Sequence, residues 1–163
     1  MKKVLKWLDK HMEESILMVL LAGIVVVMLY QIVRRYIFNS SLSWSEEFCR
    51  YSFIWFMFVA NSYAIRLGTE LRVDAVLNLL PKMAKRAVEF LTMMLCLAVT
   101  GYLFYLSFGT VSHVIKTGEV STGLHLHMKY VYLSMIVGFG MSVIRCVQKI
   151  ILTVGSWRKE AAK

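Results

Sequence analysis

A single proline, Pro81, stands in the whole sequence, and no apolar stretch is interrupted by paired glycine and proline. Many transporters place their binding site at helices broken in that way within inverted repeats, and neither sign is present. No period of 20–50 residues recurs, which leaves out solenoids and propellers. Acidic residues are scarce, 10 against 19 basic ones. No glycine-rich phosphate loop, nucleophile elbow or pair of catalytic carboxylates is visible, so the common arrangements for phosphoryl, acyl and glycosyl chemistry are missing. Cys49, Cys96 and Cys146 are odd in number and scattered through apolar stretches. They form neither a disulfide frame nor a ligand set, and packing is their expected role.

Apolar residues are what the chain has in excess. They make up 58% of its 163 residues, with a mean hydropathy of +0.61, whereas soluble domains hold about 45–50%. A spanning helix needs about 20 predominantly apolar residues. Four runs qualify in whole or nearly so: Ile16–Val33, Phe48–Ile65 in a helix that starts at Trp44, Val88–Phe108 and Tyr130–Leu152. The expected fold is therefore an all-α integral membrane protein, a four-transmembrane-helix bundle forming one membrane domain over residues 1–163, with 153–163 as a tail.

The net charge of +9 need not mean nucleic acid, because the cations mostly flank apolar runs. Lys2, Lys3, Lys6 and Lys10 precede the first run, Arg66, Arg72, Lys82, Lys85 and Arg86 lie between the second and third, and Lys149, Arg158, Lys159 and Lys163 close the chain. By the positive-inside rule both termini are expected in the cytoplasm, with an even number of crossings. The first run is too long for a signal-peptide core and no cleavage pattern follows Val33, so it is kept as a helix. Arg50 and Arg145 fall inside runs.

Residues 1–14 place Val4, Leu5, Leu8 and Met12 at helical spacing beneath a Lys-rich face, the pattern of a short interfacial helix. Residues 74–86 carry a similar pattern broken near Pro81, and a second interfacial helix is expected before the third span. Lys116–Lys129, with Gly118 and Gly123, reads as an exposed turn. His113, His125 and His127 gather towards the same side, so a metal site or a haem-binding anchor of a redox enzyme stays open as an alternative, as does a small autonomous exporter.

The second run carries the most information. Ser43 or Ser45 is placed to cap its helix, with Glu46 and Glu47 in the first turn. Arg50 follows Glu46 by four and Glu47 by three, which makes them neighbours on a helix surface and allows an internal ion pair. Alternatively Arg50 and a glutamate orient this helix against another polypeptide. Trp44, Phe48, Tyr51, Trp55 and Phe56 crowd the same helix, and Asn61 is suited to an interhelical hydrogen bond. In the fourth run Ser134, Gly138 and Ser142 have the small-xxx-small spacing of close helix contacts, as do Ala60 and Ala64 in the second.

The stretch Ser43-Trp44-Ser45-Glu46-Glu47-Phe48-Cys49-Arg50-Tyr51, then Trp55, then Arg66-Leu67-Gly68-Thr69-Glu70-Leu71-Arg72-Val73-Asp74, resembles the signature of the small membrane subunit (DctQ-like) of tripartite ATP-independent periplasmic (TRAP) transporters. Glu70 stands where that family commonly has histidine, and His127 with Lys129 where proline and an aromatic are usual. The resemblance implies a sodium-driven importer of an organic acid, such as a C4-dicarboxylate or sialic acid. In such a system a periplasmic substrate-binding protein delivers to two membrane subunits. It further implies that the large subunit carries the sodium sites and transport path, that this chain needs no cofactor and is not an enzyme, and that it braces the large subunit's scaffold. Trp44, Glu46, Glu47, Arg50, Trp55 and Asn61 are then expected to fix the second helix, within the bundle or on the partner. Arg66 and Asp74 are expected to order the cytoplasmic turn. No buried carboxylate is expected in this chain.

Overall fold

The computed structural model describes residues 2–40, 42–68 and 82–161, with side chains between Met12 and Gly155 other than those of Lys82, Lys85 and Arg86. Four helices fill almost all of this: α1 (Lys2–Ile37), α2 (Ser43–Leu67), α3 (Lys82–Thr117) and α4 (Lys129–Ala161). Three of them contain segments long and apolar enough to cross a membrane, Met12–Ile37, Ala87–Thr117 and Lys129–Gly155. At 25 residues, α2 has the length to span, about 37 Å at ~1.5 Å per residue. Arg50, Asn61 and its tyrosines leave its central stretch less apolar than those three segments.

The N-terminal segment is not a separate interfacial helix. Residues 2–14 continue into the first span as one unbroken helix of 36 residues. The physical reason is local: no proline or glycine occurs before Gly23, so nothing interrupts the i to i−4 hydrogen-bond ladder. Most of the second expected interfacial helix, residues 74–81, lies outside the described residues, and Lys82–Arg86 already belong to α3.

Neither serine caps α2. Leu42 occupies the N-cap position with no side-chain hydrogen bond, and the Ser45 hydroxyl instead donates to the Leu42 carbonyl at 2.8 Å. At the other end Gly68 adopts φ 69° and its N–H closes the helix on the carbonyls of Ala64 and Ile65, a left-handed cap that glycine adopts without steric cost.

Helix α1 packs on α2, α2 on α4, and α4 on α3. Among the described residues the main helix contacts therefore run in a row, with α1 and α3 at its two ends. The α2–α4 contact is the closest. Gly138 of α4 lies so near Phe58 that a Cβ there would meet the Phe58 Cβ and come within 3.0 Å of its carbonyl group. Phe58 and Phe139 add an edge-to-face pair at 5.2 Å. The small residues that sequence spacing singled out face this contact: Ser134 and Ser142 are fully buried, and the Asn61 amide donates to the Ser142 hydroxyl at 3.1 Å. The Ser134 hydroxyl satisfies itself on the Val131 carbonyl at 2.6 Å, so close approach leaves no orphaned hydroxyl.

Candidate functional site

Two polar clusters tie the row together, and each is built on a glutamate. The first centres on Glu13, which is fully buried. One carboxylate oxygen accepts from Arg145 Nε at 2.8 Å and from the Ser62 hydroxyl at 3.0 Å, while the other meets Arg66 Nη1 at 3.5 Å. Arg145 is itself nearly buried at 7% exposure, and its Nη1 donates to Gln148 at 2.7 Å. Thus α1 supplies the anion, and α2 and α4 supply the cations. An ionised carboxylate in such surroundings is tolerable only when paired and hydrogen-bonded on both oxygens, as it is here.

Glu13 overturns the expectation that the chain holds no buried carboxylate. Sequence reasoning found Arg145 inside an apolar run but not its partner. The signal was present, because an arginine in a span calls for an anion. Glu13 and Glu14 both precede the first run, and only the fold separates them: Glu13 turns into the helix contact while Glu14 stays exposed. Arg66, expected to order a turn together with Asp74, lies in this cluster; Asp74 lies outside the described residues.

The second cluster centres on Glu47, just past the first turn of α2 and ahead of its apolar run. It gathers the loop between α3 and α4. Its carboxylate accepts from the Ser121 hydroxyl, from the Thr122 hydroxyl at 3.0 Å, and from the backbone N–H groups of Gly123 and Leu124 at 3.0 and 2.9 Å. These donors, the Ser121 hydroxyl foremost, hold the Glu47 carboxyl well below the usual range, at about 2. A Cβ on Gly123 would come within 3.0 Å of the Glu47 carboxylate, so a larger residue there would have to shift it. Backbone bonds from Ser121 N to Leu126 O (2.9 Å) and Met128 N to Glu119 O (3.0 Å) fold the loop on itself. The expected exposed turn is thus a tethered one. Ser62 follows Glu47 by fifteen positions on α2, so the clusters sit about 22 Å apart along it at ~1.5 Å per residue.

Arg50 pairs with neither glutamate. Glu46 accepts instead from Gln31 Nε2 of α1 at 3.1 Å, and Glu47 is engaged with the loop, so donors from other segments satisfy both carboxylates. Arg50 is exposed and forms no ion pair among the described residues. Trp44 is 38% exposed and Trp55 is half-buried. His113, His125 and His127 are exposed, and no group of three metal-binding side chains occurs among the described residues. The Cys96 and Cys146 sulfurs lie 3.6 Å apart across the α3–α4 contact, and the Cys49 thiol faces the Ile24 carbonyl at 3.9 Å.

Long apolar helices packed side by side and pinned by buried charge define a multi-pass integral membrane protein. The family model described as tripartite ATP-independent periplasmic transporters, DctQ component, matches residues 24–155, and the chain belongs to that family. It is a DctQ-type membrane component of TRAP transporters.

Among relatives, the isethionate TRAP transporter permease protein DctMQ of Oleidesulfovibrio alaskensis is 25% identical over 151 residues, 89% of this chain and 24% of that protein. The C4-dicarboxylate TRAP transporter small permease protein DctQ of Rhodobacter capsulatus is 27% identical over 66% of this chain and 48% of its own length. The sialic acid TRAP transporter small permease protein SiaQ of Vibrio cholerae is 29% identical over 51% of this chain and 48% of its own. The chain thus spans less than half the length of each of these three relatives.

Proposed function

We propose that this chain braces the large transport subunit of a sodium-coupled importer of an organic acid, with a periplasmic binding protein delivering the substrate. The observation that carries this reading is the Glu13–Arg66–Arg145 cluster. The charges placed among the helices cross-link α1, α2 and α4 and so serve rigidity. With its cluster at one end of α2 and the Glu47 tether near the other, the row resists shear at both rims, as a stationary scaffold must. Its positively charged ends favour termini on the cytoplasmic side, with α2 as a fourth span seated between two apolar neighbours.

Two further facts support a larger partner. The Oleidesulfovibrio relative carries the matching stretch as about a quarter of a longer permease protein. Helices α1 and α3 also keep large apolar residues outward, among them Val19, Val26, Leu91 and Leu95. The names of the relatives speak of isethionate, C4-dicarboxylate and sialic acid, all organic anions, which supports an organic anion as the class of cargo.

The test is co-expression with a TRAP large membrane subunit, followed by reconstitution into proteoliposomes. The two chains are expected to purify together, and uptake of a labelled organic acid should need both of them, the binding protein and an inward sodium gradient. Uptake by this chain alone would overturn the proposal.

A further inference from the structure

Arg50 stands two turns into α2, exposed among apolar neighbours and without an ion pair among the described residues. A cation at such a depth calls for an anion or a route to the interface. Beside it, between α1 and α2, opens a cavity of about 460 Å³ lined by Ile24, Met28, Gln31, Glu46, Arg50 and Phe53. A second cavity of about 310 Å³, lined by Met28, Gln31, Arg35 and Tyr36, shares Met28 and Gln31 with the first. The two adjoin along α1, forming a groove from its last turn down towards Ile24 and Phe53.

The groove is amphiphilic. Arg35 and Arg50 bring two positive charges, and the one acid lining it, Glu46, is already held by the Gln31 amide at 3.1 Å. Arg34, in the same turn of α1 as Arg35, is turned over the Phe38 ring, 5.3 Å from its centre. The groove thus carries a net positive charge, with Arg35 towards the end of α1 and Arg50 beside Ile24 and Phe53, whose apolar surface continues along it to Met28. Guanidinium groups match phosphate oxygens bidentately, and an acyl chain matches the apolar end.

We propose that the α1–α2 groove binds an anionic phospholipid, its phosphate held between Arg50 and Arg35 and an acyl chain laid over Met28, Ile24 and Phe53. A protein carboxylate facing Arg50 is the competing occupant. It would need the arginine but not the apolar groove.

Native mass spectrometry of the full chain in detergent tests this, with phosphatidylglycerol, phosphatidylcholine and inorganic phosphate as separate probes. One phosphatidylglycerol is expected to be retained per chain in preference to phosphatidylcholine, with no retention of free phosphate. Arg50→Gln should weaken that retention about tenfold, the worth of one charge-assisted contact, while Lys116→Gln at the end of α3 should leave it unchanged. Met28→Trp fills the groove with both arginines kept. It should also weaken retention, and it decides the matter if Arg50→Gln does not fold. Equal retention of the two lipids, or unchanged phosphatidylglycerol retention in Arg50→Gln or Met28→Trp, overturns the proposal. So does an Arg50→Gln chain that keeps its lipid but no longer purifies with the large subunit, which would place a protein carboxylate at Arg50. Because retention is read on the chain alone, its failure leaves the transporter assignment untouched.

Discussion

Glu13 shows how much one side chain can hold. Its carboxylate has no solvent exposure and receives Arg145, Ser62 and Arg66 from two other helices. Removing one side of a buried pair leaves the other charge desolvated and unpaired, at a cost of about 3 kcal/mol or more. Glu13→Leu is therefore expected to lower the unfolding temperature strongly. Adding Arg145→Met should recover part of the loss, since an apolar pair of similar volume restores compensation. The three cysteines, two of them buried, provide the readout: a thiol-reactive fluorophore reports their exposure as the detergent-solubilised chain is heated. Glu14→Leu, one residue on and solvent-exposed, should change little. Equal effects at positions 13 and 14 would sink this account of the cluster.

At the scale of the element, glycines that look alike in sequence should respond in opposite directions. Gly138 sits where α4 meets Phe58 of α2, whereas a Cβ at Gly101 in α3 would have nothing within 4 Å among the described residues. Gly138→Ala must push the helices apart, an overpacking cost of about 1–3 kcal/mol. Gly101→Ala adds a methyl into open space and gains helix propensity, about 0.5–1 kcal/mol. Thermal unfolding of the two variants should bracket the parent, and a Gly138→Ala chain as stable as the parent would contradict the α2–α4 contact.

Sequence alone carried the helices a long way, because apolar runs and their flanking cations are local signals. The small-residue spacing at Ser134, Gly138 and Ser142 likewise marked a contact face. It could not say whether that face met Phe58 and Asn61 of the same chain or another protein. The Arg50 pairing failed for a related reason. Helix geometry allowed the bond to Glu46 or Glu47, but Gln31 and the Ser121–Leu124 loop, far off in sequence, took both acceptors. The Glu13–Arg145 bond spans 132 positions, a separation at which no periodicity carries information.

For the whole molecule, the order α1–α2–α4–α3 matters more than the number of helices, because it leaves two outer helices with open faces. A closed bundle would set α1 against α3 and cover much of that surface. Among the described residues α3 packs chiefly against α4, with Cys96 and Cys146 sulfurs 3.6 Å apart at the contact. Treatment of the full chain in membranes with a copper–phenanthroline oxidant is expected to join Cys96 to Cys146, seen as loss of two alkylatable thiols without a change in mass of the monomer band. In a background lacking these two cysteines, Val26→Cys on α1 combined with Leu95→Cys on α3, both outward-facing, should not cross-link within one chain. Any product should instead join two chains and run at twice the mass. An efficient bond between positions 26 and 95 inside a single chain would mean that the helices close into a ring. The outward faces of α1 and α3 would then no longer be open to lipid or to a large partner subunit.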